Sequence, residues 1–165
     1  MFRSSLSTVA RPVALSATRS QATRSLATAV PTNDANDTWG TKIITYDQLK
    51  PKLKNPDPNA VLIDLREPDE VVHGMIPNAV HLPITALADL LYPTLSPAEF
   101  KAKHGFTKPE KSQEILFYCK KGKRSAIASE IAERNGYKKI YDYSGSWLEW
   151  IDKEGLKQSI KAHWN

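Results

Sequence analysis

The sequence of 165 residues has one cysteine, Cys119, and no apolar run of the length that a membrane span needs. A single cysteine excludes an intramolecular disulfide and is too few for a zinc site built from thiolates. A membrane-spanning helix takes about 20 apolar residues, so we expect no membrane insertion. A chain of this length can bury a sufficient core on its own. We therefore expect a globular domain with neither a metal nor another cofactor.

Acidic residues are missing from the first 33 positions, where the charged residues are Arg3, Arg11, Arg19 and Arg24. These arginines account for most of the formal net charge of +5. The isoelectric point of about 9.3 is therefore largely a property of the N-terminus. A nucleic-acid interface would need basic clustering on the folded part of the chain. We expect no nucleic-acid partner.

The N-terminal segment is rich in Ser, Thr, Ala and Arg and lacks a continuous apolar core. This composition is typical of a mitochondrial transit peptide and differs from a secretory signal. The sequence Arg24-Ser25-Leu26-Ala27 is similar to a matrix-processing site that is cleaved after Leu26. We predict a transit peptide over residues 1–26, a linker over residues 27–40 and a folded domain over residues 41–165, located in the mitochondrial matrix. A disordered tail of chance composition is the alternative.

From residue 41 onwards, short apolar runs alternate with segments of helical periodicity. The predicted strands are Lys42–Thr45, Val61–Leu65, Ala79–Leu82, Ile115–Tyr118 and Lys139–Tyr141. The predicted helices are Tyr46–Lys50, Ile84–Leu91, Ser96–His104, Ser125–Asn135 and Ser146–Lys153. We expect Pro51 to end the first helix, because proline disrupts helix interiors. This alternation predicts a single α/β domain, with a mostly parallel central sheet flanked by helices on both faces.

Cys119 lies where a predicted strand gives way to a helix, which is where sites form in parallel sheets. The next residues, Lys120-Lys121-Gly122-Lys123-Arg124, combine four basic side chains with a glycine that permits positive φ. Their backbone N–H groups can converge on an anion, and Arg124 offers a planar fork for an oxyanion. These features lower a thiol pKa from its usual value of about 8.5. We therefore interpret Cys119 as a nucleophile, and an inert buried cysteine is the alternative. We assign substrate binding to Lys120, Lys121, Gly122, Lys123, Arg124 and Ser125.

Several motifs, in the same order along the chain, resemble those of the single-domain rhodanese family. Residues 119–125 match its active-site loop, C-x-x-G-x-R-S. Residues 64–70 are similar to its D-x-R-x-x-x-E segment, and residues 73–79 to the H-G-x-I-P-G-A stretch that follows. Residues 143–150 resemble its closing Gly-Trp motif. The resemblance extends over about residues 41–152.

This resemblance implies a rhodanese-like fold and thiosulfate sulfurtransferase activity. In such enzymes the cysteine, here Cys119, takes the outer sulfur of thiosulfate as a persulfide, and a thiophilic acceptor then removes it. The implied acceptors are glutathione, cyanide or a protein thiol, and Tyr92–Lys111 is similar to the small enzymes that use glutathione. The resemblance also implies that Asp64 and Arg66 form an ion pair behind the loop and support it without catalysing the reaction. His73 is interpreted as a structural turn residue.

One position differs from the motifs quoted above and another differs from the two-domain enzymes, and two other functions stay open. Asn78 stands where glycine is usual, and asparagine tolerates the left-handed conformation. Glu70 stands where two-domain thiosulfate enzymes often carry an arginine. A cysteine phosphatase or arsenate reductase places its arginine six positions after the cysteine, whereas Arg124 follows Cys119 by five. One residue fewer removes about 3.5 Å of chain and would crowd a phosphate. The other alternative is a non-catalytic rhodanese docking module, although such modules often lose the cysteine.

Overall fold

The computed structural model describes residues 40–156. The expected transit peptide, all but the last residue of the expected linker, and residues 157–165 of the expected domain lie outside this range. Over residues 40–156, no helix is both long and apolar enough to cross a membrane.

Five strands form one sheet in the order β1-β5-β4-β2-β3. They are β1 (Lys42–Ile44), β2 (Ala60–Asp64), β3 (Ala79–His81), β4 (Glu114–Tyr118) and β5 (Lys139–Tyr143). Every pair of neighbouring strands is parallel. The α/β class and the parallel sheet predicted from the sequence are therefore confirmed, with strand limits that differ by no more than two residues.

The helices lie between the strands and after the last one. They are α1 (Tyr46–Lys54), α2 (Pro68–Val71), α3 (Leu87–Leu91), α4 (Pro97–His104), α5 (Lys123–Arg134) and α6 (Ser146–Lys153). The predicted helix over residues 84–91 is divided, because a 3₁₀ turn at Ile84–Ala86 precedes α3. The four-residue helix α2 was not predicted, although Pro68 at its first position is a favourable start.

The prediction that Pro51 ends the first helix is wrong, because α1 continues through it to Lys54. Proline removes the hydrogen bond that its N–H would donate to the carbonyl of Asp47, one turn earlier. Both residues are on the exposed side of α1, so water can bind that carbonyl. The opposite side carries Leu49, which is fully buried. Burial of a leucine contributes about 1.5–3 kcal/mol, so packing of this face favours the helix despite the proline.

The central strand β4 is covered on both faces of the sheet. Its side chains alternate, so that Ile115 and Phe117 belong to one buried cluster while Leu116 and Tyr118 belong to the other. The first cluster contains residues of α3, α4 and α5, and the second contains residues of α1 and α6. The helices therefore lie on both faces, as predicted, and β4 is a nearly continuous apolar run because both of its faces are buried.

The strand order places a crevice at the carboxyl ends of β2 and β4. These strands are neighbours, but the chain leaves β2 towards β3 on one side and leaves β4 towards β5 on the other. Ligand sites in open parallel sheets form at such a reversal, outside the carboxyl ends of the strands. The backbone N–H of Leu65 donates to the carbonyl of Tyr118 at 2.9 Å, which continues the pairing to the edge of the crevice.

Candidate active site

Cys119 is the first residue after β4, and only 1% of its surface is exposed. The chain turns back after it, so that the N–H of Gly122 donates to Sγ at 3.2 Å. The Ser146 hydroxyl oxygen accepts from the Cys119 N–H at 3.2 Å and lies 3.9 Å from Sγ. The sulfur therefore lies at the carboxyl edge of the sheet, surrounded by hydrogen-bond donors of the loop.

These donors determine the ionisation of Cys119. Burial raises the pKa of its thiol, but the backbone N–H groups of Ser125, Lys121 and Arg124 and the Ser125 hydroxyl stabilise the thiolate more strongly. The net result is a lowered pKa. The positive end of the α5 dipole acts in the same direction. The loop therefore favours the nucleophilic form of the sulfur.

Gly122 allows the loop to close against the neighbouring turn. It has φ 84°, and a Cβ at this position would lie 2.3 Å from the Ser144 carbonyl oxygen. Gly122 also caps α5, which begins at Lys123 and not near Ser125 as predicted. The positive φ lets the helix begin directly after the turn, so Arg124 and Ser125 lie in its first turn. The Ser125 hydroxyl donates to the Gly122 carbonyl at 3.0 Å and fastens the loop to the helix.

The three lysines of the loop remain accessible to solvent. The side chain of Lys120 is 43% exposed, and its Nζ lies 3.9 Å from Oε1 of Glu70. Lys121 and Lys123 are exposed, and within residues 40–156 neither forms an ion pair. Their ammonium groups are therefore accessible to a dissolved anion.

Arg124 forms a bidentate ion pair with Glu70. Its Nη1 lies 2.5 Å from Oε2 of Glu70, and its Nη2 lies 2.9 Å from Oε1. The hydrogen bonds from Arg124 hold the pKa of Glu70 at about 2 despite its partial burial. The sequence predicted that the fork of Arg124 binds an oxyanion, and in the structure the carboxylate of Glu70 binds it. The sequence marked Glu70 as unusual but gave no indication of its partner.

Asp64 and Arg66 form the ion pair that the resemblance implied, and both are buried. Nη2 of Arg66 lies 2.7 Å from Oδ2 of Asp64, and Nε contacts both carboxylate oxygens. The guanidinium also donates to two backbone carbonyls, those of Glu70 at 2.9 Å and Gly74 at 2.7 Å. Arg66 therefore fixes the segment that carries Glu70 to the end of β2.

The start of α6 completes the site, a role that sequence reasoning missed. The N–H of Trp147 donates to the carbonyl of Cys119 at 3.0 Å, and that of Leu148 donates to the carbonyl of Lys120 at 3.2 Å. The indole ring of Trp147 also covers Arg66, whose Cζ lies 4.3 Å from the ring centroid. The sequence feature that could have indicated this role is the predicted start of a helix beside the Gly-Trp motif. The first N–H groups of a helix have no partner within the helix and therefore bind acceptors outside it.

The described residues offer no evident metal site. Over residues 40–156, no group of three or more His, Cys, Asp or Glu side chains could hold a metal ion.

Several known proteins have sequences similar to that of this chain. The sequence matches the rhodanese-like domain family over residues 45–153. It is 36% identical over 116 residues to the thiosulfate:glutathione sulfurtransferase of Saccharomyces cerevisiae, covering 70% of this chain and 82% of that protein. It is 35% identical over 114 residues to a mitochondrial thiosulfate sulfurtransferase of the same yeast, covering 69% of this chain and 75% of the relative.

A solved structure also has the same fold. The human single-domain sulfurtransferase superposes with a TM-score of 0.62 at 31% identity, covering 69% of this chain and 98% of that one. The sequence match, the related enzymes and the shared fold agree. The chain therefore belongs to the rhodanese-like domain family and, within it, to the single-domain sulfurtransferases.

Proposed function

We propose that this protein transfers the outer sulfur of thiosulfate to a thiol acceptor through a persulfide on Cys119. The observation that carries the proposal is the position of a lone cysteine at the carboxyl edge of the sheet, where its sulfur accepts a hydrogen bond from the Gly122 N–H. The lowered pKa of its thiol supports the same role. The names of the yeast relatives, which specify thiosulfate as the substrate, support the choice of donor.

In the first half of the reaction, the Cys119 thiolate attacks the outer sulfur of thiosulfate. A new S–S bond forms to Cys119, the S–S bond of thiosulfate breaks, and sulfite leaves with the bonding electron pair. The thiolate needs no general base, since it is already ionised. The N–H groups of the loop stabilise the persulfide, while Lys120, Lys121, Lys123 and Arg124 attract the donor and the departing sulfite.

In the second half, an acceptor thiolate attacks the outer sulfur of the persulfide. The bond between that sulfur and Cys119 breaks, and the thiolate is restored. Glutathione is the acceptor that we favour, because one yeast relative carries glutathione in its name. Cyanide or a protein thiol would react in the same way.

The remaining assigned residues shape the loop. Gly122 and Ser125 close it onto α5, and the pair of Asp64 and Arg66 supports it from β2. None of the four donates or accepts the transferred sulfur. A cysteine phosphatase is disfavoured because Arg124 follows Cys119 by five positions. A docking module would not need a sulfur with a lowered pKa.

Mass spectrometry of the intact protein tests this proposal. After incubation with thiosulfate, the wild-type chain should gain the mass of one sulfur atom and lose it on addition of glutathione or cyanide. Cys119→Ser should gain nothing, since a serine hydroxyl is not ionised near neutral pH and no second cysteine exists. This variant should still unfold in one cooperative transition, at a somewhat lower temperature than the wild type, because it lacks the thiolate that stabilises the fold. Sulfur transfer by the serine variant, or no added mass on Cys119, would favour the docking module.

We also propose that residues 1–26 direct the protein to mitochondria. Their acid-free, arginine-containing composition supports this, as does the mitochondrial location in the name of one yeast relative. Protein purified from mitochondria should begin near Ala27, as determined by N-terminal sequencing. Replacing Arg3, Arg11, Arg19 and Arg24 with glutamine should abolish import. A cytosolic protein that begins at Met1 would contradict the proposal.

A further inference from the structure

Glu70 places a fixed negative charge beside the basic loop. Its carboxylate pairs with Arg124 and lies 3.9 Å from Nζ of Lys120. The backbone N–H of Glu67 donates to Oε2 at 3.0 Å, and Arg66 donates to the Glu70 carbonyl at 2.9 Å. Both the carboxylate and its backbone are therefore held in position, unlike those of a mobile surface acid.

The arginine that Glu70 binds lies close to the reacting sulfur. The backbone N–H of Arg124 stabilises the Cys119 thiolate, and the thiolate in turn contributes to the raised pKa of Arg124, after the larger effect of Glu70. An anionic donor near Sγ is therefore attracted by the positive charge of the guanidinium. Both terminal nitrogens already donate to Glu70, so a donor that binds this guanidinium shares it with that carboxylate or displaces the carboxylate.

The effect of this carboxylate depends on the charge of the donor. With its pKa at about 2, Glu70 is ionised at every pH at which a thiolate exists. It repels any anion that approaches the loop, and the repulsion grows in proportion to the charge of that anion. It also compensates part of the attraction from Arg124 and Lys120. A dianion therefore loses more binding free energy to Glu70 than a monoanion does.

We infer that Glu70 is a specificity-determining residue that lowers the preference of the site for dianionic thiosulfate over singly charged sulfane-sulfur donors of the thiosulfonate class. The inference rests on the proposed function. With such a donor, the Cys119 thiolate attacks the outer sulfur and the S–S bond of the thiosulfonate breaks. The sulfinate leaves with the electron pair, and the same persulfide forms on Cys119.

The test compares two donors in three proteins. Initial rates with thiosulfate and with methanethiosulfonate, using cyanide as acceptor, give kcat/KM for the wild type, Glu70→Gln and Asp69→Asn. Glutamine keeps the size of Glu70 and an oxygen that can accept from the Glu67 N–H. Asp69 is exposed and adjacent in sequence, so its variant removes an equal charge away from Arg124.

We expect Glu70→Gln to raise the ratio of kcat/KM for thiosulfate to that for methanethiosulfonate by about threefold to fivefold, mainly through a lower KM for thiosulfate. Asp69→Asn should leave the ratio unchanged. If Glu70→Gln unfolds at a lower temperature than the wild type, Glu70→Ala provides a second removal of the charge and should shift the ratio in the same direction.

Different results would overturn the inference about Glu70 and the proposed function. An unchanged ratio in folded Glu70 variants that use both donors would overturn the inference and leave the proposed function intact. An equal rise in Asp69→Asn would also overturn it, because the effect would then be one of general charge. A wild-type enzyme that takes sulfur from neither donor would overturn the proposed function, and this inference with it.

Discussion

The phenol of Tyr118 donates a hydrogen bond of 2.6 Å to Oδ2 of Asp64, and these residues are also partners across the β2–β4 pair. Both are fully buried at the ends of their strands. Burial, together with the negative charge of Asp64, raises the pKa of Tyr118, so the phenol remains a donor. The same carboxylate binds Arg66. The buried carboxylate of Asp64 therefore holds both Tyr118, which precedes Cys119 in the chain, and Arg66 in position.

Removing Arg66 should destabilise the fold strongly. Arg66→Met keeps much of the volume but leaves Asp64 buried without its cation, which costs about 3–5 kcal/mol. Urea unfolding should show a corresponding drop in the free energy of unfolding. Arg134→Met is the matched control, because Arg134 pairs with Glu130 on the surface, where their side chains are 74% and 61% exposed. Equal stability of the two variants would show that the buried pair has no special role.

Gly122→Ala should disrupt the loop far more than Gly105→Ala. Both glycines have positive φ, 84° and 79°, so both substitutions introduce backbone strain of about 1–2 kcal/mol. Only at Gly122 does the new Cβ meet a backbone atom, the Ser144 oxygen at 2.3 Å, whereas nothing lies within 4 Å at Gly105. Gly122→Ala should therefore lose both sulfur transfer and thermal stability, while Gly105→Ala should keep its activity. Similar activity of the two variants would contradict the close approach.

The Cys119 thiol should ionise below the usual thiol pKa of about 8.5. Thiolate absorbance near 240 nm, followed against pH in wild type and corrected with Cys119→Ser, reports this directly. Since the folded pKa is lowered, the thiolate stabilises the fold above the unfolded pKa, and this contribution is lost as pH falls through the folded pKa. Ser125→Ala should raise the midpoint, because the Ser125 hydroxyl favours the thiolate and, through its bond to the Gly122 carbonyl, also holds the loop in place around the sulfur. Ser129→Ala, one turn further along α5, should not. A wild-type midpoint at or above 8.5 would contradict the lowered pKa.

Arg124→Ala should reduce kcat/KM for thiosulfate by about 10- to 150-fold, since it removes a charge-assisted contact and leaves Glu70 unpaired beside the loop. Lys121→Ala should have a smaller effect, because a solvated ammonium is a replaceable point charge. Steady-state rates with cyanide as acceptor distinguish them. Unchanged activity of Arg124→Ala would exclude a role of this side chain in donor binding.

The active-site loop could be predicted because its features are local in sequence. An apolar run ending at Cys119, a glycine three positions later and a helical pattern after it together indicate a strand, a tight turn and a helix start. Asn78 is similar, because its side chain tolerates the left-handed conformation that it adopts at φ 65°. In each case the conformational preference of a few consecutive residues determines the structure.

The partners of the loop could not be predicted in this way. Glu70 and Arg124 are 54 positions apart, and their contact depends on the order of strands in the sheet. A hydrophobic pattern shows that a strand exists but does not show which strand is beside it. The family resemblance supplied the pair of Asp64 and Arg66. It gave no indication that Trp147 covers Arg66 or that α6 binds the loop carbonyls.

The contact between α6 and the loop has a consequence for the order of folding. The carbonyls of Cys119 and Lys120 receive their hydrogen bonds from N–H groups that follow β5 in the chain. During synthesis, or during threading through a translocation pore, the cysteine emerges before these partners when the N-terminus leads. Long-range contacts of this kind form late, because the intervening chain must first be ordered. The N–H groups that lower the thiol pKa therefore follow Cys119 within a few residues, whereas the carbonyls of the loop are fixed only when the last helix of the described domain has docked.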